Sequence, residues 1–258
     1  MDPRGKVAIV TGASRGIGRR IAGELARLGA AVVIAARSVE QKGRLPGAIG
    51  ETLAEILAAG GQAIAVQTDV SIPADCERLV AETLKAFGRL DILINNAADT
   101  RGVRDPIETY PRDAWLRQFD ANLHSQFNLI ALAVPHMQAH GGGVIINFTS
   151  SDGDIKPYQF DAAAPPRAMG SMIGYAATKA AISRFTNALA PELAPQNITL
   201  VAIDPGFTRT ELVDLMGERG LVDPEQAHSM DLPVSRVVEV ITADDPRIYA
   251  GQILRIIK

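Results

Sequence analysis

The N-terminal segment constrains the fold more than any other part of the chain, because it combines two apolar runs with a glycine-rich turn. Residues 7–10 (VAIV) predict a short buried strand, and residues 11–18 (TGASRGIG) follow it directly. An apolar pattern at helical spacing comes next and ends at Gly29, before a second apolar run at residues 31–35. Strand, glycine turn, helix and strand within about 30 residues predict a parallel sheet with a helical crossover.

The glycine turn predicts a phosphate-binding site. Its spacing is G-x-x-x-G-x-G rather than the more common dinucleotide spacing G-x-G-x-x-G. Glycines let a backbone approach a pyrophosphate closely, and a helix N-terminus offers free N–H groups with a partial positive charge. Dinucleotide binding is therefore favoured over a purely structural turn. The predicted contacts in this turn are Gly12, Ser14, Arg15, Gly16, Ile17 and Gly18.

The residues after the second strand indicate which dinucleotide is preferred. A chain that prefers NAD usually carries an acid at this point, which binds the adenosine ribose. This chain has Ala36, Arg37 and Ser38 instead, and its first acid is Glu40. Arg37 offers a fork of donors for the 2′-phosphate of NADP, and Arg15 supplies a second positive charge. The sequence favours NADP(H) and leaves NAD(H) open; the alternative is that both arginines are solvated surface charges.

Length and composition limit the function classes. The 258 residues are 47% hydrophobic and 5% aromatic, and the formal net charge is −3, so no nucleic-acid partner is expected. Cys76 is the single cysteine, which excludes an intrachain disulfide. We see no secretory signal and no run of about 20 apolar residues, and therefore expect a cytoplasmic protein with no membrane partner. No internal repeat or linker is evident, and no metal site is predicted.

The rest of the chain alternates between predicted helices and strands, as expected for one α/β domain. Helices are predicted at residues 51–59, 73–87, 112–139 (bent near Pro135) and 234–241, and strands at 63–66, 91–98, 198–203 and 252–256. The glycine turn 141–143 precedes another buried strand. Long connections are predicted at residues 38–50 and 152–172, and residues 207–232 are predicted to form a mobile, partly apolar flap.

Tyr175 and Lys179 are four residues apart at the start of a further helical pattern. This spacing places both side chains on one helix face, about one turn apart. A phenol titrates near pH 10 in water, and a neighbouring ammonium favours the phenolate. The pair therefore predicts an acid/base centre, although a helix surface often carries Tyr and Lys at this interval by chance.

Polar side chains follow several predicted strands. Asp69 follows one strand, Asn95 and Asn96 end the next, and Ser150 ends the strand after that. Because the carboxyl ends of parallel strands share one sheet edge, these residues are expected on the side of the glycine turn. Asp69 is expected either to bind the adenine amino group or to form a turn. Asn122 lies within the predicted long helix, where an Asn is usually solvent-facing or satisfied in the core.

Together these motifs resemble the classical short-chain dehydrogenase/reductase family, in order, from about residue 5 to residue 256. The resemblance implies a three-layer α/β fold of Rossmann type: a doubly wound parallel sheet of about seven strands, in the order 3-2-1-4-5-6-7, in a single domain. We expect a cofactor half at about 1–150, a substrate loop at about 152–172 and a flap at about 207–232. The family also implies a homotetramer or a dimer. The motifs are T-G-x-x-x-G-x-G from Thr11, N-N-A from Asn95, Asn122, Ser150, Y-x-x-x-K from Tyr175, and Pro205-Gly206.

The resemblance also implies catalytic roles. Tyr175 is expected to protonate the alkoxide as hydride arrives from the nicotinamide. Lys179 is expected to lower the Tyr175 pKa and to hold the nicotinamide ribose. Ser150, chosen over Ser151 because Gly153 completes S-x-x-G, is expected to polarise the carbonyl, and Asn122 to hold a relay water. Further cofactor contacts are expected from Asp69, Val70, Asn95 or Asn96, Ala97, Tyr175, Lys179, Pro205, Gly206, and Thr208 or Thr210.

Three features depart from the family pattern. Ala98 stands where glycine is common after N-N-A. Ser150 and Tyr175 are 25 positions apart, about twice the usual gap, which indicates an insertion within residues 152–172. The chain also stops soon after the last predicted strand. An inserted loop that reshapes the pocket makes substrate inference from ordinary relatives unsafe.

The leading hypothesis is an NADP(H)-dependent carbonyl reductase or alcohol dehydrogenase that interconverts a ketone and a secondary alcohol. Apolar residues of the loop and flap predict a largely apolar small-molecule substrate. The alternatives are a 3-oxoacyl-thioester reductase of the same family and a non-catalytic NADP-binding sensor or scaffold. The apolar residues in question are Tyr158, Phe160, Met169, Met172, Phe207, Leu212 and Met216.

Overall fold

Seven parallel strands form one sheet in the order β3-β2-β1-β4-β5-β6-β7, which confirms the predicted topology. The computed structural model describes residues 1–39, 47–100, 105–155 and 172–256. Strand order reverses between β1 and β4, and at such a switch point open α/β sheets bind ligands outside the carboxyl ends of the strands. The strands are β1 Val7–Thr11, β2 Ala31–Ala36, β3 Gln62–Gln67, β4 Ile92–Asn95, β5 Gly143–Phe148, β6 Ile198–Asp204 and β7 Ile253–Arg255.

Helices cover both faces of the sheet, so the central strands are apolar on both sides. In β1, Ala8 and Val10 pack into the core beneath α1 and α8, whereas Ile9 packs into the core beneath α3, α5 and α6. Within the described residues, no helix is long and apolar enough to cross a membrane. The helices are α1 Gly16–Arg27, α2 Ile49–Ala58, α3 Pro73–Phe87, α4 Arg112–Phe119, α5 Ser125–Ala139, α6 Ile173–Leu193, α7 Glu211–Glu218 and α8 Asp231–Thr242.

The structure corrects several predicted elements. The predicted helix 112–139 is two α-helices joined by the π-helical turn Asp120–His124. The strand predicted at 91–98 ends at Asn95, and the flap contains α7 and is closed at its base by a bridge between Thr208 and His228. Residues 40–46 of the first long connection and residues 156–171 of the second, with Tyr158, Phe160 and Met169, lie outside the described residues. The flap's predicted mobility stays a prediction.

Candidate active site

The glycine turn between β1 and α1 leaves no room for side chains. Gly12 and Gly16 have φ angles of +68° and +56°, in the left-handed region that favours glycine. A Cβ added at Gly12 would lie 2.8 Å from Asn96 Nδ2. A Cβ added at Gly18 would lie 2.5 Å from the same atom and 2.5 Å from the Gly12 carbonyl oxygen. Glycine at positions 12 and 18 therefore lets the turn pack closely against Asn96 at the N-terminus of α1, where backbone N–H groups favour a phosphate.

Asn96 holds the glycine turn against the end of β4. Its Nδ2 donates to the carbonyl oxygens of Thr11, at 2.8 Å, and Gly12, at 3.3 Å. The Thr11 hydroxyl accepts in return from the backbone N–H of Asn96, at 3.0 Å. The neighbouring Asn95 is buried, and its Nδ2 donates to Asn147 Oδ1 on β5 at 2.9 Å. The Asn95 side chain is therefore buried against Asn147 and does not line the cavity described below, which corrects its expected role as a cofactor contact.

A cavity of about 570 Å³ runs along the carboxyl edge of the sheet, from the glycine turn to the Tyr175–Lys179 pair. Most of the predicted contacts line it: Gly12, Ser14, Arg15, Gly16, Ile17, Gly18, Arg37, Asp69, Val70, Asn96, Ala97, Tyr175, Lys179, Pro205 and Thr210. Besides Asn95, two predicted contacts do not line it, Thr208 and Gly206. Thr208 is buried and donates to the Pro205 carbonyl at 2.7 Å, and a Cβ at Gly206 would lie 2.8 Å from His228 Nε2.

Arg15, in the glycine turn, and Arg37, directly after β2, both line the cavity. Arg15 Nη2 reaches the Gly47 carbonyl at 3.4 Å, which leaves most of the guanidinium's donors for other partners. Asp69 also lines the cavity, but its Oδ1 accepts from the Ser71 N–H at 3.1 Å and hydroxyl at 2.7 Å. Asp69 therefore forms a turn, which is one of the two roles predicted for it. Its Oδ2 takes no part in these bonds.

The sequence spacing of Tyr175 and Lys179 produces the expected contact on α6. Lys179 Nζ lies 5.4 Å from the centroid of the Tyr175 ring and donates to the Phe148 carbonyl at 2.8 Å. Lys179 is only 2% exposed, and this burial lowers its pKa to about 8, while the Asp204 carboxylate acts in the opposite direction. Lys179 is therefore a buried amine that can lose its proton near neutral pH.

The Tyr175 hydroxyl is shifted in the direction opposite to the prediction. Its pKa is raised to about 12, chiefly by burial and in smaller part by the charges of Asp152 and Asp204, while a hydrogen bond with Ser150 acts in the opposite direction. The predicted lowering by Lys179 is not found in this structure. The physical reason is that a buried phenolate loses hydration, and Lys179 directs its ammonium at a carbonyl rather than at the phenol oxygen. Tyr175 is thus a neutral proton donor at ordinary pH.

Ser150 lies two residues after β5 and caps the short turn Ser151–Gly153. Its Oγ accepts from the Asp152 N–H at 3.2 Å and is hydrogen-bonded to Tyr175. Gly153 lets this turn lie directly on α6, since a Cβ there would be 2.6 Å from the carbonyl carbon of Lys179. The S-x-x-G spacing therefore has a packing cause: the serine hydroxyl and the Tyr175–Lys179 pair are held by one tight contact.

Asn122 is fully buried in the π-helical turn, and its side chain is occupied. Its Oδ1 accepts from the Asp99 N–H at 2.6 Å, and its Nδ2 donates to Thr178 Oγ1 at 3.1 Å and to the Asp99 carbonyl at 3.3 Å. Thr178 in turn donates to the Tyr175 carbonyl at 2.7 Å. The side chain therefore braces α6 beside Tyr175, and a relay water held by it stays a prediction.

Sequence reasoning missed some residues of the site. Glu211 and Arg117 line the cavity, and buried Asp204 lies close enough to affect both Tyr175 and Lys179. Glu211 follows Thr210 directly, so its position next to a predicted contact was an available signal. Arg117 is brought in by α4 and bonds Asp99 Oδ2 at 3.2 Å, a contact that no local pattern indicates.

Comparison with known proteins shows the family of this chain. Residues 6–219 match the family model for short chain dehydrogenases. The chain is 35% identical over 261 residues to an uncharacterized oxidoreductase of Methylorubrum extorquens, covering 97% of this chain and 95% of the relative. It is 31% identical over 257 residues to a 3-oxoacyl-[acyl-carrier-protein] reductase of Staphylococcus aureus, covering 97% and 96%.

Solved structures of dehydrogenases are similar to this chain in fold and sequence. A 7α-hydroxysteroid dehydrogenase complexed with NADH and 7-oxo glycochenodeoxycholic acid is 28% identical with a TM-score of 0.82, over 99% of this chain and 94% of that one. A hydroxysteroid dehydrogenase from Escherichia coli is 28% identical with a TM-score of 0.79, over 99% and 97%. This chain belongs to the short-chain dehydrogenase/reductase family, whose members are oxidoreductases that bind a nicotinamide cofactor.

Proposed function

We propose that the protein reduces a ketone to a secondary alcohol with NADPH, and that it catalyses the reverse oxidation. The observation that carries the proposal is that one continuous cavity joins the glycine turn to Tyr175 and Lys179. The fit to a dinucleotide rests on Gly12, Gly16 and Gly18, which line this cavity at the N-terminus of α1, where backbone N–H groups favour a phosphate. When bound, the cofactor would supply the hydride.

In the proposed mechanism, the chain's own residues manage the carbonyl oxygen and its proton. Ser150 donates a hydrogen bond to the carbonyl oxygen and fixes its position next to the Tyr175 hydroxyl. Tyr175 gives its proton to the alkoxide as it forms; a phenol whose pKa is about 12 stays protonated at neutral pH yet is a stronger acid than an alcohol. Lys179 stabilises the phenolate that results, since its ammonium lies next to the ring.

The preference for NADP(H) over NAD(H) is part of the proposal. Arg15 and Arg37 line the cavity near the end of β2, and residues 36–39 contain no acid that would bind a ribose 2′-hydroxyl. We expect NADPH to bind more tightly than NADH by about tenfold or more, as a bidentate phosphate contact supplies. Exchanging Arg37 for Asp should move this preference towards NADH. Titration of nicotinamide fluorescence measures both, and an unchanged preference in the variant would refute the assignment.

The substrate is proposed to be largely apolar. Leu212 of α7 lines the cavity, and Phe207 at the start of the flap is 42% exposed. An apolar ketone would bury such surfaces on binding.

We also propose a homo-oligomer, because Phe127 of α5 is exposed and its ring lies 6.4 Å from that of Phe185 on α6. Sedimentation equilibrium tests this, and a monomer at micromolar concentration would refute it.

A second candidate is the reduction of 3-oxoacyl thioesters, which the similarity to the Staphylococcus aureus reductase favours. The two candidates share the chemistry at Tyr175 and differ in what the pocket holds beyond the carbonyl. We would compare acetoacetyl thioesters with cyclic and aryl ketones of similar size, using NADPH oxidation as the readout. Higher kcat/KM for the ketones supports the leading proposal, and higher kcat/KM for thioesters supports the second.

NADPH binding without turnover of either substrate class would instead favour a non-catalytic sensor. Binding of neither NADPH nor NADH would refute the proposed function altogether. Turnover is compared between wild type and Tyr175→Phe, and the matched control is Tyr249→Phe. The control removes a phenolic hydroxyl that donates to Glu239 Oε1 on α8. It should leave the rate unchanged.

A further inference from the structure

The last strand brings a charged residue to the edge of the active site. Arg255 lies at the end of β7 and forms a two-pronged ion pair with Asp154: Nη2 lies 2.8 Å from Oδ1, and Nη1 bonds Oδ2. Asp154 directly follows the turn Ser151–Gly153 that Ser150 begins. The contact joins residues 101 positions apart in the chain, so local structure does not explain it.

This ion pair completes a clamp on the turn. On one side, Gly153 lies against the backbone of Lys179 so closely that a Cβ would not fit. On the other side, the planar guanidinium of Arg255 holds the Asp154 carboxylate at two points. An exposed ion pair contributes little to stability, but a bidentate one restricts orientation. The direction of the Ser150 hydroxyl is thereby tied to β7.

Arg255 also faces a second carboxylate. Its Nη1 lies 4.0 Å from Asp204 Oδ2, and the Asp204 side chain is only 6% exposed. Asp204 accepts from the Gly206 N–H at 3.0 Å, and its charge raises the pKa of both Tyr175 and Lys179. A cation next to this carboxylate reduces the field it exerts on the Tyr175–Lys179 pair.

We propose that Arg255 is a positioning residue for the active site, which holds the Ser150 turn through Asp154 and offsets the charge of Asp204 beside Lys179. The inference rests on the proposed function for its catalytic consequence, though not for its electrostatic one. Among the residues that the structure describes, the charged groups that act on the Tyr175–Lys179 pair or on its neighbours are Asp152 and Asp154 after β5, Asp204 at the end of β6, and Arg255 on β7.

The electrostatic part is tested without any substrate, by NMR titration of lysine labelled with ¹³C at the ε-carbon. The Lys179 signal is identified by its loss in Lys179→Met. Arg255→Gln should raise the Lys179 pKa by on the order of half a pH unit, because it removes a cation. Asp204→Asn should lower it, and the double variant should fall between the two. An unchanged Lys179 pKa in Arg255→Gln would overturn this part.

Arg247→Gln is the matched control. Arg247 pairs with Asp245 through two bonds of 2.8 and 3.0 Å, in the same C-terminal region, and is similarly exposed. Arg247→Gln should leave the Lys179 pKa unchanged. If both glutamine variants lose stability, that shared loss does not explain a pKa change seen only in Arg255→Gln.

The positioning part is tested by turnover. Arg255→Lys keeps the charge but cannot form the planar fork, so it should lower kcat about tenfold while the Lys179 pKa and the Kd for NADPH stay near wild type. Asp154→Asn, which removes the other half of the ion pair, should also lower kcat about tenfold with the Kd for NADPH near wild type. Wild-type kcat in both variants would overturn the clamp. A wild-type protein that reduces no ketone or thioester would refute the proposed function instead, and the Lys179 titration would still decide the electrostatic part.

Discussion

The buried amine of Lys179 predicts an unusual dependence of stability on pH. In the native protein its pKa is lowered to about 8 from an ordinary 10.5, so it releases its proton before the unfolded chain does. Between these two values the unfolded state binds more protons, and the free energy of unfolding therefore rises with pH. For this group alone, the rise from about pH 7 to 9.5 amounts to roughly 2 kcal/mol.

The change that isolates this contribution is Lys179→Met. The substitution also leaves the Phe148 carbonyl without its donor, but that loss does not depend on pH. Urea unfolding at several pH values gives the free energy of unfolding of each protein. We expect wild type to gain on the variant by roughly 2 kcal/mol between about pH 7 and 9.5. Tyr175 begins to titrate near pH 10 in the unfolded chain, but both proteins carry it, so its contribution cancels in the difference between them.

Lys85→Met serves as the control, because the Lys85 side chain is 78% exposed on α3. Its difference from wild type should stay constant over the same range. A constant difference for Lys179→Met as well would contradict the account, as it would mean that Lys179 keeps its ordinary pKa in the folded protein.

Two further predictions follow from packing and burial. Gly18→Ala should weaken NADPH binding by about tenfold or more, because its Cβ would meet Asn96 and Gly12. Gly23→Ala on the same helix has no atom within 4 Å of its Cβ, and should stabilise the fold by about 0.5–1 kcal/mol without changing the Kd; equal Kd values in both variants would contradict the packing argument. Burial raises the pKa of the Cys76 thiol to about 11, so an aromatic disulfide reagent at about pH 8 should label it only after unfolding. Rapid labelling of the native protein would contradict its burial.

The sequence was most informative where a local pattern and a fold rule coincide. The apolar run of β1 and the glycine turn after it predicted a parallel sheet with a binding site at one edge, and the structure has the parallel sheet and a cavity along that edge. The spacing of Tyr175 and Lys179 predicted their contact on α6. In each case the decisive residues are close in the chain, so their geometry follows from helix and strand periods.

The sequence was least informative where burial or a distant segment determines the pKa of a side chain or its contacts. The Tyr175 pKa rises rather than falls because the fold removes water from the phenol. The spacing of Tyr175 and Lys179 in the sequence does not show how far the phenol is buried, so it cannot predict this desolvation. Asn95 looked like a ligand contact, but the pleat of β4 turns it towards Asn147. Arg255 reaches Asp154 only because β7 and the Ser150 turn meet at the same end of the sheet.

The central claim is that Tyr175 is the proton donor in a nicotinamide-dependent reduction, and one comparison tests it most directly. The rate of NADPH oxidation with a saturating ketone or 3-oxoacyl thioester is measured for wild type and Tyr175→Phe, and the Kd for NADPH is measured for both. The account predicts a rate lower by about 10²–10⁴-fold in the variant, with the Kd for NADPH little changed. Reduction by Tyr175→Phe at the wild-type rate would contradict it.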